Sequence, residues 1–393
     1  MGDVIVSGYG IVSSLGVGVE SNEKALLLQE GGLCHAKQLE SNYSDLLYFG
    51  EVSHSLDGLI DLIKSPINKP TCHRTNALSL IALEEAIASA NLSEDQVRNA
   101  AFISASTVGG MCQEKDLYHI VSGGENTDGI HVNSFSSGAC TEYVAKHIGF
   151  TRYVDTINTA CSSSANAIAL GYQLIKLNKF DTVIVGGVDS LTKYSINGFN
   201  SLNLLSKGKC APFDSNRDGI NLGEAAGYLV LQKEDPSVER KASISGFGNS
   251  NDAHHSTSIS DEAFGPNLAI EGALKTSNLA ADQIDYINAH GTATENNDTS
   301  ESTAIFDQFG KDAVFSSTKP FTGHTLAAAG VIEAIFSIFS IKNQVAWGNL
   351  SFNQKDEASQ VTPITENTTL PIEHVLSNSF GFGGNCTSLI ISK

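Results

Sequence analysis

Basic residues are scarce in this chain. Lys and Arg number 24 against 43 Asp and Glu, a formal charge of −19. A general nucleic-acid binder carries the opposite balance, which excludes that class. An acidic protein partner would be repelled at long range and would need a local basic patch to dock. Proline is also scarce, with 8 residues against 36 Gly, and no low-complexity stretch or long linker interrupts the chain. That mix suits tight turns and close backbone approaches rather than disordered linkers. The seven cysteines, Cys34, Cys72, Cys112, Cys140, Cys161, Cys210 and Cys386, include no C-x-x-C pair. Zinc ribbons and thioredoxin-type motifs are therefore excluded, and the odd, scattered count points to a reducing compartment. The longest late apolar run, VIEAIFSIFSI from Val331, is too short for a bilayer and carries Glu333. The start, MGDVIVSGYG, lacks a basic region and reads as a strand, not a signal peptide. The expectation is a cytoplasmic protein with no membrane span. Its 393 residues, 41% hydrophobic, suffice for one large domain or two intimate halves.

What the sequence does contain is an internal echo. IVSGYGIVSS near the start is matched by ISGFGNSND from Ile244, both β-rich runs that break at Gly-aromatic-Gly. TACSSSANAI (159–168) is matched by TGHTLAAAGV (322–331), which sets Cys161 opposite His324. AAFISAST and IDYINAHGT form a third pair of apolar strands ending in small polar turns. Two similar halves that alternate strands and helices predict an α/β protein with parallel or mixed sheets. The helices expected over 161–177 and 324–341 are apolar on nearly every face, so they belong in the interior between two sheets.

Cys161 stands at the mouth of the first of these helices. Unpaired N–H groups and the helix dipole favour negative charge there, which predicts a lowered thiol pKa and part of an oxyanion hole. A small buried cysteine followed by serine caps would read the same way. His290 in INAHGTAT and His324 in PFTGHT shift the balance, since each lies at the end of a strand, where α/β sites collect. Neutral imidazole N–H groups can stabilise an enolate or a thioester oxyanion. Lys319, five residues before His324, could bias that histidine's protonation or bind a carboxylate.

NTACSSS, NAHGTAT, STKPFTGHTLAAAG and SNSFGFGGN resemble the four signature blocks of the β-ketoacyl-acyl carrier protein synthases, and PFDSNRDGINLGEAAGYLVL resembles a fifth. The resemblance runs in the family's order along nearly the whole chain. It implies an α/β thiolase fold, five-layered αβαβα with two duplicated halves. Residues 1–238 would form the half with the nucleophile and 239–393 the half with the two histidines. It also implies that Cys161 carries the acyl group and that His290 and His324 drive decarboxylation. Lys319 matches the lysine before the second histidine. Phe382 matches a gating phenylalanine whose N–H joins that of Cys161 in the oxyanion hole. Thr292 and Thr294 match positions that bond the pantetheine arm, and Thr257, Val108 and Phe135 complete the expected substrate-binding set, with Met111 beside them. Asp298 and Glu301 match an acidic pair near the site.

The implied reaction is a decarboxylative condensation of an acyl thioester with malonyl-acyl carrier protein, lengthening a fatty-acid or polyene/polyketide chain by two carbons. No metal or other cofactor is implied. The implied partners are acyl carrier protein and a second subunit, either an identical copy or a chain-length-factor-like chain. The Cys-His-His set resembles the elongating branch, whereas the initiating branch has Cys-His-Asn. NGFNSL, GINLGEAAG and the His324 block look closer to aryl-polyene and flexirubin-type ketosynthases. The chain departs from the common pattern at Cys386 (GGNC for GGTN), at His254 and at Ala327. Candidates for a local basic docking patch are Lys207, Lys209 and Arg74. Two other readings stand beside this one: a non-catalytic chain-length-factor-like subunit, or a coenzyme A-dependent thiolase with Cys386 as its second cysteine.

Overall fold

A computed structural model describes residues 3–111 and 136–393. Thirteen strands are formed there: β1 (Val4–Ser13), β2 (Gly16–Val17), β3 (Ala101–Ala105), β4 (Tyr153–Ile157), β5 (Thr182–Asp189), β6 (Ala225–Lys233), β7 (Ala242–Asn251), β8 (Tyr286–Asn288), β9 (Phe315–Ser316), β10 (Val345–Ala346), β11 (Thr368–Thr369), β12 (His374–Phe380) and β13 (Asn385–Ser392). Apart from the small β10–β11 ribbon they join in one path, β4-β3-β5-β6-β1-β7-β13-β12-β8-β9, with β2 paired to β1. The seam is the short antiparallel contact of Val4–Val6 with Ala242–Ile244.

Outward from that seam the two sides repeat each other. One side reads β1, β6, β5, β3, β4 and the other β7, β13, β12, β8, β9. The inner three strands of each set are antiparallel, and the outer ones pair in parallel. The Gly-aromatic-Gly echo has a packing cause. A Cβ on Gly8 or Gly10 would lie within 2.6 Å of backbone atoms in the Arg74–Ser89 helix or just beyond it. A Cβ on Gly246 or Gly248 would meet the Phe264–Ser277 helix as closely. Each half thus needs glycine where its outer helix lies against its first strand.

The interior layer consists of the Ser163–Lys176 and Ala329–Asn343 helices, packed against each other and between the two sets of strands. Ala165, Ile168, Val331, Ile335 and Phe339 join strand residues such as Val185 and Leu229 in one core. Each fully buried Ile or Phe side chain contributes about 1.5–3 kcal/mol. With helices outside, the order of layers is αβαβα. The helical stretch Leu326–Asn343 has 18 residues and a mean hydropathy of 1.4, enough by length and composition to cross a bilayer. That corrects the expectation that the run is too short. It is, however, 89% buried inside the fold, as a core helix must be.

Candidate active site

The sequence places Cys161 just after β4 and two residues before the first residue of its helix. Ala160 takes a positive φ of 54°, and its counterpart Gly323 also has a positive φ, 73°, but with an extended ψ of 178°. For alanine this costs roughly 1–2 kcal/mol. It turns the chain sharply after β4; His324, expected at a strand end, instead follows the one-turn Lys319–Thr322 helix, and the two residues still meet in the same region. The three serines stitch the turn rather than cap the helix. Ser162 Oγ donates to the Thr159 carbonyl at 2.8 Å, Ser163 Oγ accepts from the Thr159 N–H at 2.8 Å, and Ser164 Oγ accepts from the Val331 N–H at 3.0 Å. The last bond ties the two interior helices together.

Cys161, His290 and His324 are all buried, and their sulfur and ring-nitrogen atoms lie within 4.8 Å of one another. The two rings meet edge to face, with centroids 5.4 Å apart. Such spacing could suit a soft metal ion, but the wiring does not. A metal-binding histidine donates its second ring N–H to an acceptor. Here His324 Nδ1 accepts the Leu326 N–H at 3.1 Å, and His290 Nδ1 faces the Lys319 ammonium at 3.1 Å. Both Nδ1 atoms meet donors, so in each neutral ring the proton sits on Nε2. The cluster offers two N–H donors beside a thiol.

Charge supports that protonation state. Burial, then Lys319 and His324, hold His290 well below the usual imidazole range, and burial and Lys319 do the same to His324. Lys319 is itself buried, bonded to the His290 carbonyl and paired with Glu333. Burial pushes the Glu333 carboxyl up to about 7, with Lys319 opposing, and its Oε2 has no hydrogen-bond partner among the described residues. The expectation of a lowered Cys161 pKa is corrected. Burial pushes the thiol up to about 11, outweighing Lys319 and the N–H groups of Phe382 and Cys161, which pull the other way. Those two N–H groups converge at the sulfur, as oxyanion donors would. A Cβ on Gly381 would lie 2.8 Å from the Thr159 carbonyl and 3.2 Å from the Cys161 nitrogen, so only glycine lets the Phe382 turn approach.

The other expected residues fall as follows. Glu301 accepts the N–H groups of His290 and Gly291 at 2.8 Å each, and Asp298 accepts those of Thr292, Ala293 and Phe213. The acidic pair therefore braces the 290–293 turn. Backbone bonds from Asn221 and Gly223 hold His324. Thr292 and Thr294, whose hydroxyls are 2.8 Å apart, line a cavity of about 760 Å³ with Thr257, Cys161 and both histidines. A second cavity of about 720 Å³ is lined by Val108, Tyr194, Leu326 and other residues. Cys161, Phe199, Leu202 and Phe382 border both cavities. The Phe382 ring stacks on Phe199, 5.7 Å between centroids. Met111 packs in the cluster of Val108, and Phe135 lies outside the described residues.

Cys386 is fully buried against Ile259, Ala269 and Phe380 and borders neither cavity. His254 is exposed, and Ala327 donates its N–H to Asp189. Arg74 is not a docking cation. It forms a buried ion pair with Glu224 and donates to the carbonyls of Val52 and His54, because the folded chain brings Glu224 beneath it. Lys207 and Lys209 are exposed, with the Lys209 ammonium 5.9 Å from the centre of the Tyr48 ring. Sequence reasoning missed Phe199, Leu202 and Asp189. The signal for Asp189 was a single carboxylate ending the apolar run TVIVGGVD.

A buried thiol, two ring N–H donors and two backbone N–H donors meet at the crossing of duplicated α/β halves, an arrangement chemically suited to acyl transfer onto sulfur. The solved ketosynthase/chain length factor of ishigamide has the same fold, with TM-score 0.92, 24% identity and coverage of 100% of this chain and 99% of that one. The match to the Beta-ketoacyl synthase N-terminal domain over residues 1–237, and to its C-terminal domain over 241–353, shows that the chain belongs to the β-ketoacyl synthase family. Among relatives, 3-oxoacyl-[acyl-carrier-protein] synthase 2 of Coxiella burnetii is 30% identical, over 99% of this chain and 98% of that protein. The ketosynthase ApeO of Xenorhabdus doucetiae, solved in complex with its chain length factor ApeC, is 30% identical with TM-score 0.87, covering 100% and 98% of the two chains.

Proposed function

We propose that the protein is an elongating β-ketoacyl-acyl carrier protein synthase acting in polyene or polyketide chain extension. The observation that carries this reading is the pair of Nε2–H donors fixed by Leu326 and Lys319 beside the Cys161 sulfur. In the first half-reaction Cys161 attacks the thioester carbonyl of an acyl-carrier protein. The tetrahedral oxyanion takes hydrogen bonds from the N–H groups of Cys161 and Phe382. The carrier's pantetheine thiolate leaves with the proton, and the acyl group stays on sulfur. In the second half-reaction malonyl-carrier protein enters by the cavity of Thr292 and Thr294. Carbon dioxide leaves, and the electron pair of the broken C–C bond forms an enolate whose oxygen is held by His290 and His324. The enolate carbon attacks the acyl-Cys161 carbonyl, the thiolate departs, and a chain two carbons longer leaves on the second carrier.

Neutral imidazoles suit this role, because they donate to the enolate without protonating its carbon. The second cavity, reached past Cys161 and bordered by Val108 and Leu326, is of a size and polarity for an acyl chain. ApeO works beside a chain length factor, and a heterodimer of that kind is the assembly proposed here. The carrier's docking patch would combine Lys207 and Lys209 with residues of the partner, since the mouth of the first cavity carries Asp218, Asp261 and Glu295. A coenzyme A-dependent thiolase is disfavoured by the position of Cys386.

The test is acyl transfer from a panel of acyl-carrier proteins, read by intact mass, followed by addition of malonyl-carrier protein with and without the partner subunit. An acyl adduct lost in Cys161→Ala, and a product two carbons longer, are expected. Absence of any adduct with every acyl chain, partner present, would favour a non-catalytic chain-length-factor-like subunit. Turnover of acetoacetyl-coenzyme A without carrier protein would favour a thiolase.

A further inference from the structure

Asp189 ends β5 as a fully buried carboxylate, and no step above uses it. Its partners come from two places. Oδ1 accepts the Ser106 hydroxyl at 2.8 Å and the N–H groups of Thr107 and Val108 at 2.9 and 3.1 Å. Oδ2 is shared between the Thr107 hydroxyl and the Ala327 N–H, the latter at 2.9 Å. The first set belongs to the loop that borders the apolar cavity through Thr107 and Val108. Oδ2 bridges that loop, through the Thr107 hydroxyl, to the turn after His324, through the Ala327 N–H. Two neighbouring N–H groups divide the work there: that of Leu326 fixes His324 Nδ1, and that of Ala327 is fixed by Asp189. The Leu326 side chain faces the same cavity as Val108.

We infer that Asp189 is a positioning residue that links the apolar cavity's loop to the His324 turn, so that an acyl chain in the cavity sets His324 for malonyl decarboxylation. The inference rests on the reading of the site as a condensing enzyme. A buried carboxylate is suited to the task because its two oxygens accept hydrogen bonds from five donors at fixed angles, while the carboxylate itself is fully buried. An acyl chain pressing on Val108 and Leu326 moves both sides of one bonded unit. The Leu326 and Ala327 N–H groups belong to successive peptides of one tight turn, so a shift of the Ala327 N–H with Asp189 moves the Leu326 N–H that orients the imidazole. Binding at one place then changes competence at the other through a contiguous set of hydrogen bonds.

Asp189→Asn tests this. The amide keeps one acceptor oxygen and presents an NH2 to the other set of donors, so one side of the link is lost at nearly constant shape. Carbon dioxide release from malonyl-carrier protein is measured on free enzyme and on enzyme preloaded at Cys161 with a long acyl chain, alongside the loading rate by intact mass. Wild type should release carbon dioxide faster when loaded, by about tenfold, within the usual range for coupled sites. In Asp189→Asn the loaded-to-free ratio should fall toward one while the loading rate stays within about twofold. A ratio unchanged in the variant would overturn the inference. If Asp189→Asn does not fold, Ser106→Ala combined with Thr107→Val removes both loop hydroxyls from the carboxylate and leaves only two loop N–H groups on it. The ratio should then fall by at least about twofold, and an unchanged ratio would overturn the inference. Wild type that neither loads nor decarboxylates would instead refute the condensing-enzyme reading, so the two failures are distinguishable.

Discussion

The Cys161 thiol makes the sharpest quantitative prediction, because two physical effects compete at it and pH separates them. A helix mouth alone lowers a cysteine pKa toward the range about 3.5–7.5. Burial pushes this thiol up to about 11. With that value the thiolate fraction is roughly 10⁻⁴ at pH 7 and roughly 10⁻² at pH 9, since each pH unit below the pKa changes it tenfold. Alkylation of Cys161 by iodoacetamide should therefore accelerate about a hundredfold between pH 7 and pH 9, with unit slope and no plateau. Peptide mapping after timed quenching isolates Cys161 from Cys34, the exposed thiol among the six described cysteines. A rate that levels off by pH 8 would show that the helix mouth and Lys319 outweigh desolvation, and would refute the order of effects argued above. Slow alkylation at neutral pH together with rapid loading by acyl-carrier protein is the combined signature expected. The bound thioester excludes water and supplies the oxyanion that the Phe382 and Cys161 N–H groups are placed to hold, so reactivity belongs to the complex.

Three further outcomes follow from the geometry. His290→Ala and His324→Ala should each keep acyl loading and lose about 10²–10³-fold in malonyl decarboxylation, read by carbon dioxide release. Gly381→Ala should keep the fold, by circular dichroism, yet lose about 10²-fold in loading, because its Cβ would lie 2.8 Å from the Thr159 carbonyl and displace the Phe382 N–H. Arg74→Ala should destabilise the protein by about 3–5 kcal/mol in urea melts, because Glu224 is left buried without its cation, while the KM for carrier protein stays unchanged. A raised KM with unaltered stability would return Arg74 to a docking surface.

Much of the fold was legible because the duplication is written in residues that packing dictates. The glycines of GYG and GFG recur where an outer helix lies on a strand, and the turns at Ala160 and Gly323 recur where the chain must swing toward the site. The apolar residues of AAAGVIEAIFSI marked a helix covered on all sides, whereas ANAIALGYQLI forms a helix with one face only half-buried at Asn166, Leu170, Tyr172 and Leu174 and with Gln173 exposed. Glu333, the one carboxylate in the AAAGVIEAIFSI run, turned out to pair with Lys319 in the interior. What stayed hidden depends on residues distant in sequence. Arg74 looks like a surface cation until Glu224 is folded beneath it. The thiol's environment is set by the second half of the chain, so its desolvation cannot be read from TACSSS. The protonated nitrogen of each histidine is fixed by Leu326 and Lys319, which only the fold brings to the right ring atom. Asp189 likewise gains its meaning from Ala327, 138 positions later.

The wiring of the two imidazoles is open to direct observation by nitrogen-15 NMR of histidine-labelled protein, with His290→Ala and His324→Ala used to assign the signals. At pH 7 both rings should be neutral with the proton on Nε2 and a bare Nδ1. Imidazolium at either position, or a proton on Nδ1 of His324, would contradict the claim that this site holds an enolate between two fixed donors.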